Sequence, residues 1–141
     1  MIISAFPATG KTFYQKNSKL NVLDSDSSSF LWIKPKVRNP DFPDNYIEHI
    51  QENKKKYDVI LVSTHQEVRD ALKKNGIAFT LVFPDIELKS EYLKRMKKRG
   101  SDEAFIKNMK SKWDEYILSL EKEDVGTIIL NQGDFLSDIA P

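Results

Sequence analysis

Short runs of apolar residues recur along the chain, and the longer stretches between them are apolar only at helical spacing. Each run has few polar interruptions, which is typical of strands in a parallel sheet that is buried on both faces. The first predicted strand begins at Ile2. The other four cover Leu20–Leu23, Tyr57–Val62, Ile77–Phe83 and Thr127–Leu130. Strands that alternate with helices predict a three-layer α/β fold, in which helices flank a five-stranded parallel sheet.

The segments between the runs supply the predicted helices. They cover Lys11–Lys19, a segment from Asp44 to the lysines at 54–56, a segment that ends at Gly76, Glu87–Arg99, a long helix that begins at Ser101 or Asp102, and a short one from Leu136. Phe30 to Asp44 is predicted to be irregular, because its three prolines break helices and strands. No repeat or linker divides the chain, so we expect a single domain over residues 1–141.

The stretch between the first strand and the first helix carries a phosphate-binding pattern. Residues 5–12 follow the Walker A form G-x-x-x-x-G-K-[ST], with Ala5 in place of the first glycine. In such a loop Gly10 lets the backbone approach a nucleotide β-phosphate, Lys11 bridges the β- and γ-phosphates, and the Thr12 hydroxyl binds Mg²⁺. The predicted nucleotide-binding residues of the loop are Ala8, Thr9, Gly10, Lys11, Thr12 and Phe13. The alternative is a chance Gly-Lys-Thr in an ordinary loop.

Two carboxylates follow the second strand. Asp24 and Asp26 lie at the C-terminal end of a predicted parallel strand, where ligands bind in open α/β sheets, and alternation places both on the same side. In the other interpretation they only turn the chain and cap a helix. The third strand ends at Ser63, where a Walker B aspartate would stand, so Asp24 is the better candidate for organising Mg²⁺.

Gly10-Lys11-Thr12 followed by Asp24-Ser25-Asp26 resembles shikimate kinases, within the nucleoside-monophosphate-kinase group of P-loop kinases. The layout also resembles small phage-encoded nucleotide kinases. The resemblance implies a P-loop NTPase fold with strand order 2-3-1-4-5, and ATP and Mg²⁺ as ligands. It also implies that Asp24 organises Mg²⁺ and that Asp26 hydrogen-bonds the acceptor hydroxyl. Ser63-Thr64-His65 replaces the glycine-rich turn of shikimate kinases, so shikimate is not the expected acceptor.

By the same resemblance, residues 30–56 form the acceptor-binding segment. There Trp32 could stack on a base or ring, and Lys34, Lys36 and Arg38 could pair with an acceptor phosphate. The alternative is a surface loop anchored by a buried Trp32. Arg69 is also expected to bind the acceptor phosphate, as an arginine in this region does in monophosphate kinases.

A second basic segment lies further along the chain. Glu87–Arg99 contains six basic and two acidic residues in an otherwise balanced chain. Arg95 and Arg99 are four residues apart and share a helix face. The resemblance implies a lid over residues 87–101 whose two arginines cover the transferring phosphate, whereas the alternative is a solvated face. It also places the loop after the last strand beside the adenine, which adds Gly133 to the nucleotide-binding residues.

Composition narrows the possible partners and location. The chain has 22 basic and 21 acidic residues and a net charge of +1, which disfavours nucleic acid without excluding it and gives no attraction to a membrane surface. The absence of cysteine excludes disulfides and agrees with a reducing cytoplasm. No run is long enough to span a bilayer and no charged leader begins the chain, so we expect a cytoplasmic protein, monomeric or weakly dimeric. With two histidines we expect no zinc site, and His65 is expected to cap or hydrogen-bond rather than act as a base.

Three functions remain open at this point. The first is a phosphotransferase that moves the ATP γ-phosphate to a small acceptor such as a nucleoside or nucleotide, with Lys11, Asp26, Arg95 and Arg99 as catalytic residues. The second is a nucleotide-binding regulatory module with little or no kinase activity, which Ala5 and Ser63 favour. The third is a kinase for a modified base within DNA, which the near-neutral charge disfavours.

Overall fold

The computed structural model describes residues 1–34 and 37–141. Its central feature is a five-stranded sheet in which every described pair of neighbours is parallel. The strands of the described chain are β1 (Ile2–Ala5), β2 (Val22–Asp24), β3 (Trp32–Lys34), β4 (Val37–Arg38), β5 (Val59–Val62), β6 (Thr80–Pro84) and β7 (Thr127–Leu130). The predicted α/β fold with a five-stranded parallel sheet flanked by helices is therefore confirmed.

The sheet order is β2-β5-β1-β6-β7, with β1 at the centre. This order differs from the expected numbering 2-3-1-4-5, because β3 and β4 were not predicted and lie between β2 and β5 in the chain. The two form a separate antiparallel hairpin in which Trp32 lies opposite Arg38. The prediction of an irregular segment after Phe30 was therefore wrong in part. Pro35 and Lys36, which entered that prediction, lie outside the described residues.

Helices cover both faces of the sheet. They are α1 (Lys11–Asn17), α2 (Ser28–Leu31), α3 (Asp44–Asn53), α4 (Gln66–Lys74), α5 (Lys89–Lys98), α6 (Glu103–Glu121) and α7 (Leu136–Ile139). A 3₁₀ turn at Ile86–Leu88 leads into α5. The choice left open at the start of α6 falls on Asp102, whose carboxylate accepts a hydrogen bond from the Ala104 amide at 3.0 Å.

Alternation along the central strand divides the apolar core in two. Ile2 faces a large cluster that includes Tyr46 of α3, Leu72 of α4 and Trp113 of α6. Ile3 faces a smaller cluster, closed by Tyr14 of α1 and Leu136 of α7. Because parallel strands of this kind are apolar on both sides, β1 and its neighbours are fixed by packing from two directions.

In the part of the chain that the structure describes, no helix combines the length and the apolar character needed to cross a membrane.

Candidate functional site

The loop between β1 and α1 adopts a concave backbone. Ala8 and Gly10 both have left-handed conformations, with φ of 66° and 89°. Between them Thr9 is buried, and its hydroxyl donates to the Phe6 carbonyl at 2.7 Å. Successive amides in such a turn point toward one concavity, which is the arrangement that holds anions. Ala5 lies buried in β1 with negative φ, so its Cβ is tolerated where the motif has glycine.

Lys11 connects this loop to the carboxylates beyond β2. Its Nζ lies 3.5 Å from the Ala5 carbonyl oxygen. Burial lowers the pKa of Lys11, the carboxylates of Asp24 and Asp26 raise it, and Arg99 lowers it. The structure therefore brings these four predicted site residues within electrostatic reach of one another. A phosphate in the loop would offset the cost of burying the ammonium group.

Asp24 ends β2 and is half-buried, whereas Asp26 is exposed two residues later. Burial raises the pKa of Asp24, the Lys11 ammonium lowers it, and Asp26 raises it. The two aspartates therefore lie in different environments, although the sequence placed them on the same side of the strand.

The turn between the aspartates is fixed from two sides. The Ser25 amide donates to the Leu61 carbonyl at 2.9 Å, which extends the β2–β5 pairing by one bond. The Ser25 carbonyl accepts from the buried Tyr46 hydroxyl at 2.6 Å. Tyr46 belongs to α3, and sequence reasoning assigned it only to the apolar helix face. No local signal distinguishes it, because its partner lies 21 residues away.

Hydroxyl groups lie at the C-terminal end of β5. Ser63 occupies the position at which a Walker B motif would have a carboxylate. Ser63 and Ser27 place their Oγ atoms 3.0 Å apart. The Ser4 hydroxyl of β1 donates to the Ser63 carbonyl at 2.8 Å. These contacts join the carboxyl ends of three neighbouring strands through neutral groups. The negative charge that acts on Lys11 therefore comes from Asp24 and Asp26.

Arg95 of α5 reaches the loop between β1 and α1 and bonds to its backbone. Its Nη1 donates to the Ala8 carbonyl at 3.1 Å, and its Nη2 donates to the Asp134 carbonyl at 3.0 Å. Nη2 also pairs with Glu91 at 3.0 Å, and the side chain is only 14% exposed. Arg99, one turn later, is exposed, and its Nε donates to the Ser101 hydroxyl at 3.0 Å. The two arginines of the predicted lid thus lie in different surroundings.

The segment after β7 packs against the same loop. Gly133 has φ of 79°, and its amide donates to Glu91 at 3.2 Å. The Leu136 amide donates to the Thr9 carbonyl at 2.8 Å. The Phe135 ring lies against Gly10, so that a Cβ at residue 10 would come within 3.2 Å of it. The segment after β7 therefore contacts the loop through Phe135 and Leu136, and the role of Gly133 beside the adenine stays a prediction. Sequence reasoning missed Phe135 and Glu91.

The predicted acceptor-binding residues are not brought together in the same way. Trp32 is 42% exposed on β3, which excludes the alternative of a buried anchor. Arg38, directly opposite, donates from its Nη2 to both carboxylate oxygens of Glu67 at 2.9 Å. Arg69 is 4% exposed, and it bonds to the Thr64 carbonyl, to Ser119 of α6 and to Glu123 just beyond that helix. The buried Arg69 therefore ties α4 to α6, a contact that competes with the predicted role in binding acceptor phosphate.

The oxygen donors of the site suit Mg²⁺ better than a transition metal. Among the described residues no three His, Cys, Asp or Glu side chains come together as a metal cluster. Thr12 is exposed at the start of α1, and Asp24 lies across from Lys11. One hydroxyl and one carboxylate fit a Mg²⁺ ion that takes its other ligands from phosphates and water. Phe13 is 60% exposed beside Thr12.

A groove of about 560 Å³ adjoins Arg95 on its outer side. It is lined by residues of the 3₁₀ turn and α5, and by Gln132 of the segment after β7. Lys94 and Lys98 supply positive charge to its walls and Glu91 supplies negative charge. The groove therefore lies between the predicted lid and the loop that the sequence predicted beside the adenine.

No protein-family model matches the chain, and no curated protein matches it. Among solved structures, the crystal structure of an uncharacterized protein from Eubacterium ventriosum ATCC 27560 is similar. The identity is 16%, the similarity covers 95% of this chain and 90% of that one, and the TM-score is 0.46. A similarity at this level carries no argument about activity.

Proposed function

We propose that this protein is a P-loop phosphotransferase that moves the γ-phosphate of ATP to a small acceptor, a nucleoside or nucleotide. The observation that carries the proposal is the position of Lys11. Its ammonium group lies under a loop with two left-handed residues, and within electrostatic reach of Asp24 and Asp26. A partly buried cation beside a concave loop, with two carboxylates within electrostatic reach, is the combination that phosphoryl transfer with a metal ion requires.

In this proposal each side chain has one task. Lys11 and the loop amides bind the β- and γ-phosphates, and Arg99 adds positive charge nearby as the transferring oxygens gain charge. Thr12 and Asp24 would hold Mg²⁺, which neutralises phosphate charge when bound. The bond between the γ-phosphorus and its bridging oxygen breaks, and a bond from the acceptor oxygen forms. If the acceptor is a hydroxyl, its proton passes to Asp26, whereas a phosphate acceptor needs no base.

Two observations favour a second function, a nucleotide-binding regulatory module that turns over ATP slowly or not at all. Ser63 provides a hydroxyl where a Walker B carboxylate would stand, and it is already paired with Ser27. Arg38 is paired with Glu67 in the segment where an acceptor would bind. This pair is exposed, and exposed pairs contribute only about 0–1 kcal/mol, so a ligand could displace it.

The two functions differ in whether turnover depends on an acceptor. ATP consumption with Mg²⁺ should be measured against nucleosides, nucleotides and sugars, with products identified by mass. We expect Asp26→Asn to lower transfer to a hydroxyl acceptor by about 10²–10⁴ and to leave ATP affinity unchanged. We expect Lys11→Ala to weaken ATP binding at least about tenfold in calorimetry, because it removes charge-assisted hydrogen bonds.

The control for Lys11→Ala is Lys16→Ala, which removes a surface lysine from the same helix. ATP binding by the wild type without acceptor-dependent turnover would favour the regulatory module. Unchanged ATP affinity in Lys11→Ala would contradict the assignment of the loop itself.

A further inference from the structure

Two remote segments meet at Arg95, which belongs to neither. One is the loop between β1 and α1, which Arg95 contacts at the Ala8 carbonyl, and the other is the segment after β7, which it contacts at the Asp134 carbonyl. The guanidinium carbon also lies 4.4 Å from the Tyr92 ring centre and 4.0 Å from the Phe135 ring centre. The guanidinium group is therefore held by its hydrogen bonds and by its aromatic neighbours together.

We infer that Arg95 is a positioning residue, which holds the loop in its anion-binding shape before a ligand arrives. The reason lies at Ala8, whose left-handed backbone is unfavourable for an alanine. Such a conformation persists only where surrounding contacts enforce it. The charge-assisted hydrogen bond from Arg95 to the Ala8 carbonyl is one such contact. It fixes the orientation of the peptide group between Ala8 and Thr9. The inference rests on the proposed function only in taking the anion to be a nucleotide phosphate.

The partners of Arg95 are themselves fixed. Glu91 pairs with Arg95 and also accepts a hydrogen bond from the Gly133 amide. On the other side, Phe135 lies against both Arg95 and Gly10. A change in the loop is therefore transmitted to the segment after β7 through bonded neighbours.

These contacts compete with the lid role that the sequence predicted for Arg95. To reach a γ-phosphate, its guanidinium would leave two backbone carbonyls and the Glu91 carboxylate. Arg99 is exposed at the C-terminal end of the same helix, just after Lys98, and acts electrostatically on Lys11. The two arginines therefore differ in role, and Arg99 provides a matched control for Arg95.

The experiment compares Arg95→Gln and Arg99→Gln in the full-length protein. Amide hydrogen exchange over residues 6–12 is measured without ligand, and affinities for ATP, ADP and inorganic pyrophosphate are measured by calorimetry. We expect Arg95→Gln to speed exchange of residues 6–12 while α6 exchanges as in the wild type. The affinity for each of the three ligands should fall about tenfold, which is the effect of losing one charge-assisted hydrogen bond. The kcat at saturating ATP should stay nearly unchanged. Arg99→Gln should lower kcat and leave loop exchange and ADP affinity unchanged.

Glu91→Gln is a second variant that weakens the same junction and keeps the side-chain size. It should speed exchange of residues 6–12 and lower ligand affinity, as Arg95→Gln does, but by a smaller factor. It replaces Arg95→Gln in the test if that variant does not fold. Unchanged loop exchange in these variants would overturn the inference. So would a loss of kcat in Arg95→Gln with normal ADP affinity, which is the behaviour of a lid residue. A wild type that binds none of the three ligands would instead contradict the proposed function, and loop exchange would still decide the role of Arg95.

Discussion

Asp24 and Lys11 both lie where burial disfavours their charged forms. Burial raises the pKa of Asp24 above its ordinary 3.8 and lowers the pKa of Lys11 below its ordinary 10.5. Their mutual attraction acts in the opposite direction but does not cancel these shifts. Shifted pKa values of this kind are frequent at functional sites, where a ligand or metal completes the charge balance. The ligand-free protein is therefore less stable than it would be with neutral groups at these positions.

Replacement of Asp24 tests this charge balance directly. The pKa of Asp24 is higher in the folded protein than in the unfolded chain. At pH values between 3.8 and that raised pKa, the folded state therefore binds more protons than the unfolded state. The contribution of Asp24 to stability therefore falls as pH rises through that window. We expect Asp24→Asn to raise the melting temperature of the ligand-free protein at pH 7. The difference should shrink as the pH falls toward 3.8, and the variant should need more Mg²⁺ for turnover.

The control is Asp114→Asn, an exposed position on α6. It should leave the melting temperature and the Mg²⁺ requirement unchanged. Equal melting temperatures for wild type and Asp24→Asn across the whole pH range would contradict the inference that burial disfavours the charged form of Asp24.

At the scale of elements, α3 is connected to the aspartate turn by one buried hydrogen bond. Tyr46 is fully buried, and its hydroxyl donates to the Ser25 carbonyl between Asp24 and Asp26. Burial raises the pKa of Tyr46, so its hydroxyl stays protonated and remains a donor. Because α3 belongs to the predicted acceptor-binding segment, this bond links that segment to the turn between the two aspartates.

Tyr46→Phe removes that bond with little change in volume. We expect a loss of about 1 kcal/mol in the free energy of unfolding, the usual contribution of one hydrogen bond, measured by urea denaturation. The Mg²⁺ concentration needed for half-maximal turnover should rise, because the backbone between the aspartates is released. ATP affinity without Mg²⁺ should stay unchanged.

Tyr14→Phe is the matched control, since the buried Tyr14 donates its hydroxyl to the Pro141 carbonyl at 2.9 Å, away from the aspartates. It should alter stability without altering the Mg²⁺ requirement. The same Mg²⁺ requirement in both variants and the wild type would reduce Tyr46 to a packing role.

On the scale of the whole molecule, ligand binding should couple the phosphate-binding loop to α5 and the segment after β7. A ligand that binds only the folded state stabilises it by about 2.7 kcal/mol at a hundred times its dissociation constant. We therefore expect a non-hydrolysable ATP analogue with Mg²⁺ to raise the melting temperature. It should also protect residues 87–101 from trypsin, because Arg95 in this segment bonds to the loop that would hold the phosphates.

The lysines of α6 provide an internal comparison in the same digest. Lys107, Lys110 and Lys112 are exposed on that helix, and they should be cleaved at the same rate with and without the analogue. Equal protection of both segments would indicate general stabilisation, and protection of neither would contradict the coupling of α5 to the loop.

Much of the fold could be predicted because apolar periodicity is a local property. The five apolar runs became the five strands of the sheet, and Thr127–Leu130 matches β7 residue for residue. The strand ends were less predictable where residues next to a strand also close the end of the preceding helix. Ile77 was assigned to a strand, but its amide donates to the Leu72 carbonyl at 2.9 Å and closes the end of α4, so β6 begins at Thr80. The β3–β4 hairpin was missed because Pro35 between its strands and Pro40 after them indicate an irregular segment.

The sequence by itself determined the candidate site residues that are neighbours along the chain. The loop residues up to Lys11 and the aspartates after β2 are recognisable because spacing and strand ends define them. Only the tertiary structure decided how Arg95 and Arg69 are used, since each has a partner far away in the sequence. Arg95 bonds to Ala8 across 87 residues, and Arg69 bonds to Ser119 across 50. A charged residue on a helix face has the same local pattern whether it meets a ligand, a backbone carbonyl or water, and only packing distinguishes these cases.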